Sequence, residues 1–133
     1  SVARKIVGKA LESQKARSAA KKAKDLVVIH DDVDLPLGAF KIVFNRGPAG
    51  HKGVQSIIRA IKTQEFVRIR VGISPTTPSG KLKKPKEDKF LDFITGKFKP
   101  KELDMIKKTL KQTSEALETI LEEGYERAMN EWN

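Results

Sequence analysis

The sequence predicts an α/β layer domain, and three observations carry that prediction. Short apolar runs rich in β-branched residues, LVVIH, AFKIVFN and EFVRIRVGI, alternate with stretches whose apolar residues recur at helical spacing. Glycines and prolines punctuate the joins between them. At 133 residues and 38% hydrophobic, the chain is long enough for one domain with a real core and too short for two comfortable ones.

Taken in order, Val2, Ile6, Ala10 and Leu11 recur at helical spacing, and SQKARSAAKKAKD continues in good helix formers without an apolar stripe. An opening helix with a solvated, basic second half is expected. LVVIH, residues 26–30, reads as a strand buried on both faces. DVDLPLG then turns, because Pro36 fixes φ and Gly38 permits a positive one. AFKIVFN alternates as a half-buried strand does, with Phe40, Ile42 and Phe44 on one side and Lys41 and Val43 on the other. RGPAGHKG is a loop, and VQSIIRAIK puts Val54, Ile57, Ile58 and Ile61 on one helix face. EFVRIRVGI is a third strand, with Arg68 and Arg70 sharing a face.

The lysine- and proline-rich stretch SPTTPSGKLKKPKEDK, residues 74–89, reads as a surface loop, either a mobile flap or an inert insertion. FLDFITG predicts a short amphipathic turn or helix. Pro100 opens a longer helix in which Leu103, Ile106, Leu110, Leu117 and Ile120 form the expected buried stripe, and Gly124 is placed to end it. YERAMNEW supplies a last helical segment.

Lysine and arginine number 27 against 17 acids, a net charge of +10, which points to a polyanionic partner such as RNA. With no cysteine there is no disulfide framework, thiolate metal site or thiol nucleophile, and a reducing, cytoplasmic setting is expected. No apolar run approaches the roughly 18 residues of a membrane span.

Both histidines, His30 and His51, fall within VIHDDVDLPLGAFKIVFNRGPAGHKG. Asp31 follows a strand's apolar run, where a carboxylate can orient a histidine, hold one tautomer and stabilise its imidazolium. Asp31 or Asp32 reads equally as a turn or cap residue. GPAGHKG offers glycines where backbone must approach a ligand, and it runs into a helix N-terminus able to donate to phosphate or an oxyanion. His51 is alternatively no more than a helix-capping residue. The scattered histidines and aspartates lack metal-ligand spacing, so no metal is expected. Arg70 and Lys41, basic residues on strands, are candidates for phosphate contacts, or charges that deter edge pairing. Aromatics are only 6%, so RNA would be gripped by phosphates and shape rather than by base stacking.

In order along the chain, VIHDDVDLPLG, GPAGHKGVQSIIRAI, EFVRIRVGI, FITGKF and RAMNEWN resemble the bacterial-type peptidyl-tRNA hydrolases, from about Leu26 to Asn133. SVARKIVGKAL is similar to the helix following that family's substrate-binding Met-Asn segment. The resemblance implies a single three-layer α/β domain over residues 1–133, a twisted mixed sheet flanked by helices, incomplete at the N-terminus and lacking the family's first strands. It also implies hydrolysis of the ester joining peptide to tRNA, without a cofactor, by water attack assisted by a histidine and an aspartate. Asp31 matches the aspartate. Gly50, His51, Lys52 and Gly53 match the substrate-binding loop, with Lys52 where an asparagine steadies the attacked carbonyl. Arg70 matches a position that grips the tRNA 5′ phosphate, and Lys41 or Arg46 stands in for a basic residue often found at Val43. His30 and His51 match non-catalytic positions, and the catalytic histidine belongs to the segment before this family's corresponding helix. Weak activity of these residues alone is therefore expected, as is self-association, or a further segment, to cover an exposed sheet edge. The alternative is a non-catalytic module binding tRNA on the same scaffold, or, less strongly supported, a domain kept as a protein-interaction surface.

Overall fold

The computed structural model describes residues 23, 25–84 and 98–133. They form β1 (Val27–Pro36), β2 (Phe40–Phe44), α1 (Lys52–Ile61), β3 (Val67–Ser74), α2 (Pro100–Glu123) and α3 (Tyr125–Trp132). The predicted opening helix, Ala23 apart, and FLDFITG lie outside the described residues.

The three strands make one sheet in the order β1-β3-β2. Val67 N–H donates to the Leu26 carbonyl near one end and Leu37 N–H to the Ser74 carbonyl near the other, so β1 and β3 run parallel. Ala39 meets Gly72 while Arg46 meets Arg68, so β2 runs the opposite way. The sheet is mixed. Although only Leu37–Ala39 separate β1 from β2, β3 lies between them, because that link crosses over β3. Gly38 takes φ +91° in the crossing. Gly72 sits beneath it: a Cβ there would collide with the Pro36 carbonyl oxygen.

Two expectations change at the sheet. LVVIH is not buried on both faces, since Ile29 is 47% exposed, and β1 is an edge of the sheet among the described residues. That burial belongs to β3, where Val67, Arg68, Ile69, Val71, Gly72 and Ser74 are all buried. A run of β-branched residues favours a strand; its neighbours decide which strand is central. The turn predicted from Asp32 begins only at Leu37. Asp32 and Asp34 remain extended because each has a cation to hold, and Ser74 Oγ donates to the Val33 carbonyl at 2.6 Å.

Contacts divide the described residues into two units, the first drawn from those up to 30 and from 43–68, the second from 31–42 and from 69 onward; every strand contributes to both. In the first, Ala23, Ile57, Ile61 and Phe66 form a core, with Leu26, Val28 and Ile58 packed against it. The apolar face of α1 is the predicted one.

In the second unit, α2 begins at Pro100 and stops at Gly124, whose φ of +90° explains the glycine. Its buried stripe differs from the predicted one. Thr109, Thr113, Ala116 and Ile120 are buried, whereas Leu103 and Leu110 are 45% and 48% exposed. Of the predicted stripe Ile120 is buried and Ile106 and Leu117 are half-buried; the rest of the buried face is made of the smaller Thr109, Thr113 and Ala116. At its end Trp132 of α3 donates through Nε1 to Thr119 Oγ1 and stacks obliquely on Phe40 at 5.9 Å. The side chain of Asn133 then meets Ile42 on β2.

Candidate functional site

In the first unit, a loop of residues 45–51 delivers the chain to the start of α1. Asn45, Ala49 and Gly50 all adopt left-handed backbone, at φ 55°, 46° and 83°. Such a path needs external support. Arg68 supplies it: 4% exposed, it donates through Nη1 to the carbonyls of Arg46 and Gly47 at 2.8 and 3.0 Å. Sequence alternation assigns Arg68 only to a strand face; its role as a staple depends on a loop that the pattern does not locate.

His51 ends this loop as the N-cap of α1. Its Nδ1 accepts from Val54 N–H at 3.1 Å, and its carbonyl accepts from Gln55 N–H at 3.0 Å. In the neutral ring the proton is therefore on Nε2. The ring meets His30 edge to face, with centroids 4.6 Å apart. It also lies over Gly53, where an added Cβ would stand 3.0 Å from His51 Cε1. Of the two roles the sequence leaves open for His51, the geometry displays capping. Lys52 is the first residue of α1 and exposed. A cation beside the positive end of a helix is self-opposed and makes that corner attractive to an anion. Gly50 and Arg46 are exposed beside it in the chain.

In the second unit, β1 carries a row of carboxylates. Asp31 is half-buried within the strand rather than in a turn beyond it. Its neighbour Asp32, also half-buried, accepts from Arg70 Nε at 2.6 Å and from Asp34 N–H at 2.8 Å. Arg70 is thus held through its Nε. Asp34 in turn holds Lys84 at 2.6 Å. Lys41 is exposed on β2. Local sequence reads this stretch as a turn, because the cationic partners of Asp32 and Asp34 lie 38 and 50 residues further along.

Among the described residues, no helix is long and apolar enough to cross a membrane, and no three His, Cys, Asp or Glu side chains converge as a metal site would require.

Residues 6–133 match the family model for peptidyl-tRNA hydrolase. The chain is 41% identical over 109 residues to the peptidyl-tRNA hydrolase of Pseudothermotoga lettingae, covering 82% of this chain and 54% of that one. To the peptidyl-tRNA hydrolase of Koribacter versatilis it is 40% identical over 113 residues, covering 83% and 51%. It spans about half the length of the curated relatives it matches. A crystal structure of peptidyl-tRNA hydrolase from Acinetobacter baumannii superposes with a TM-score of 0.66 over 80% of this chain and 50% of that one, at 20% identity, a likeness of fold. The matched residues run through the three strands and three helices named among the described residues, so the chain belongs to the peptidyl-tRNA hydrolase family.

Proposed function

We propose that this chain provides the tRNA-gripping and carboxylate-bearing part of an enzyme that hydrolyses the ester between peptide and tRNA. The observation that carries this reading is the turn into α1. Left-handed residues at 49 and 50, with His51 as cap, expose Lys52 at a helix N-terminus, where a developing oxyanion or a phosphate gains from backbone N–H groups and the helix dipole. In this reading Gly50 to Gly53 hold the substrate's peptide end, and Lys52 donates to the attacked carbonyl oxygen. Asp31 orients a histidine that takes a proton from water, and Arg70, with Lys41 and Arg46, meets tRNA phosphates. No cofactor is required by this chemistry.

In this reading the histidine served by Asp31 is neither His30 nor His51, because both match non-catalytic positions of the family; His51 Nδ1, in addition, accepts from Val54 N–H. Isolated, these 133 residues would therefore lack the general base, which contributes on the order of 10²- to 10⁴-fold. The experiment is release of an N-acetylated amino acid from its tRNA ester by these residues, run beside a tRNA-binding titration. Binding with only weak turnover supports the reading. Rapid turnover would overturn the assignment of the base, and absent binding would remove the assignment altogether.

One observation favours the alternative of a non-catalytic tRNA-binding module: an ammonium, not an amide, stands at position 52. It can donate but not accept, and suits a phosphate better than the paired donor and acceptor of a peptide.

A further inference from the structure

The stretch after β3 is a built element. Thr76 and Leu82 pair as an antiparallel bridge, Thr77 N–H donates to the Lys81 carbonyl at 2.8 Å, and Lys83 N–H donates to the Pro75 carbonyl at 2.7 Å. The tip is closed by Gly80 N–H to the Thr77 carbonyl and by Lys81 N–H to Thr77 Oγ1, with Gly80 at φ +88°. Residues 75–84 are a hairpin. Alternation sets Lys81 and Lys83 on the face opposite Leu82, one strand repeat apart, and both are exposed. The hairpin's last described residue, Lys84, is fastened to Asp34 at 2.6 Å.

Asp34 and Asp32 share one face of β1, about 7 Å apart along the strand. Asp32 holds Arg70 and Asp34 holds Lys84, so the two acids seat two cations side by side. The carboxylates act as brackets, fixing where the neighbouring positive charge stands. We propose that this hairpin is a second phosphate-gripping element, docked by the Asp34–Lys84 pair, which continues an RNA backbone track from Arg70 to Lys83 and Lys81. The inference rests on the tRNA-binding reading and adds to it a contact surface and a docking residue. Lysines one strand repeat apart on a rigid backbone engage successive phosphates at less ordering cost than lysines on a free loop.

The test is the salt dependence of binding between the chain and a short RNA hairpin ending in single-stranded CCA. Replacing both lysines, K81Q with K83Q, lowers the slope of log affinity against log salt by about two, one for each phosphate that is no longer neutralised. Asp34→Asn discriminates further. It makes the protein more positive, so undirected electrostatics predicts tighter binding, whereas undocking the hairpin predicts weaker binding. An unchanged slope in the double variant, or tighter binding by Asp34→Asn, overturns the hairpin's role while leaving tRNA binding by the rest of the chain in place. No binding by the unaltered chain overturns both.

Discussion

The side-chain amide of Asn133 completes a backbone pair on Ile42: Nδ2 donates to the Ile42 carbonyl at 2.9 Å, and Oδ1 accepts from Ile42 N–H at 2.8 Å. One residue at the end of α3 does for β2 what another strand would do. It satisfies an outward donor and acceptor and blocks that edge against pairing with another chain. Since β3 covers the other side, Ile42 is fully buried. The placement of Trp132 against Thr119 and Phe40 is what brings Asn133 there.

Asn133→Ala should cost about 1–3 kcal/mol, two hydrogen bonds at roughly 0.5–1.5 kcal/mol each. Asn133→Asp keeps the acceptor but sets a carboxylate oxygen against the Ile42 carbonyl, so it should cost at least as much as alanine. Urea denaturation measures the loss, and light scattering should show the alanine variant associating at concentrations where the unaltered chain does not.

At α1 the cap and the second helical residue are coupled. His51→Ala removes the acceptor for Val54 N–H and should cost about 1 kcal/mol, while His51→Asn, which can still cap, should cost little. Gly53→Ala would ordinarily gain up to about 1 kcal/mol of helix propensity. Here its methyl group presses on the His51 ring. The gain should therefore appear only in the His51→Ala background, and a double-mutant cycle that shows simple additivity would rule out the packing described.

Lys52 separates the two functional readings. Lys52→Asn should lower the salt-dependence slope of tRNA binding by about one if the ammonium meets a phosphate. If the residue serves ester hydrolysis, the same change, made in a full-length version that carries the general base, should raise turnover, measured as release of N-acetylated amino acid, because an amide can both donate and accept.

Much of the layout is legible in the sequence, and the failures share a cause. The strand positions, the face of α1, the left-handed Gly38 and the ends of α2 at Pro100 and Gly124 follow from local chemistry, so local patterns find them. The extent of β1, the staple made by Arg68 and the ion pairs of Asp32 and Asp34 depend on partners tens of residues away. The stripe of α2 fails differently. Hydrophobicity ranks Leu103 and Leu110 above Thr109 and Thr113, yet the smaller side chains are the buried ones, and at Thr109 a hydroxyl bonded within its own helix makes that burial cheap. Of the candidate site residues, His51 is legible down to its capping role, one of two that its position before a helix allows, while Arg70 is legible as a strand cation but not with Asp32 as its anchor.

Thr109 and Thr113 turn the packing of α2 into a measurement. Both are buried on the same face of the helix, but only Thr109 bonds its hydroxyl to a carbonyl one turn back, Met105, at 2.8 Å. Thr113 Oγ1 is buried with no hydrogen-bond partner among the described residues. An unsatisfied buried hydroxyl costs about 1–3 kcal/mol, and valine has nearly the same shape and helix propensity as threonine. Thr113→Val should therefore stabilise the chain by about 1 kcal/mol. Thr109→Val, whose hydroxyl is already satisfied, should be neutral or mildly destabilising. Urea midpoints that move the same way for both variants would mean that position 113 has a partner after all, and that the small-residue face of α2 is not packed as tightly as its burial indicates.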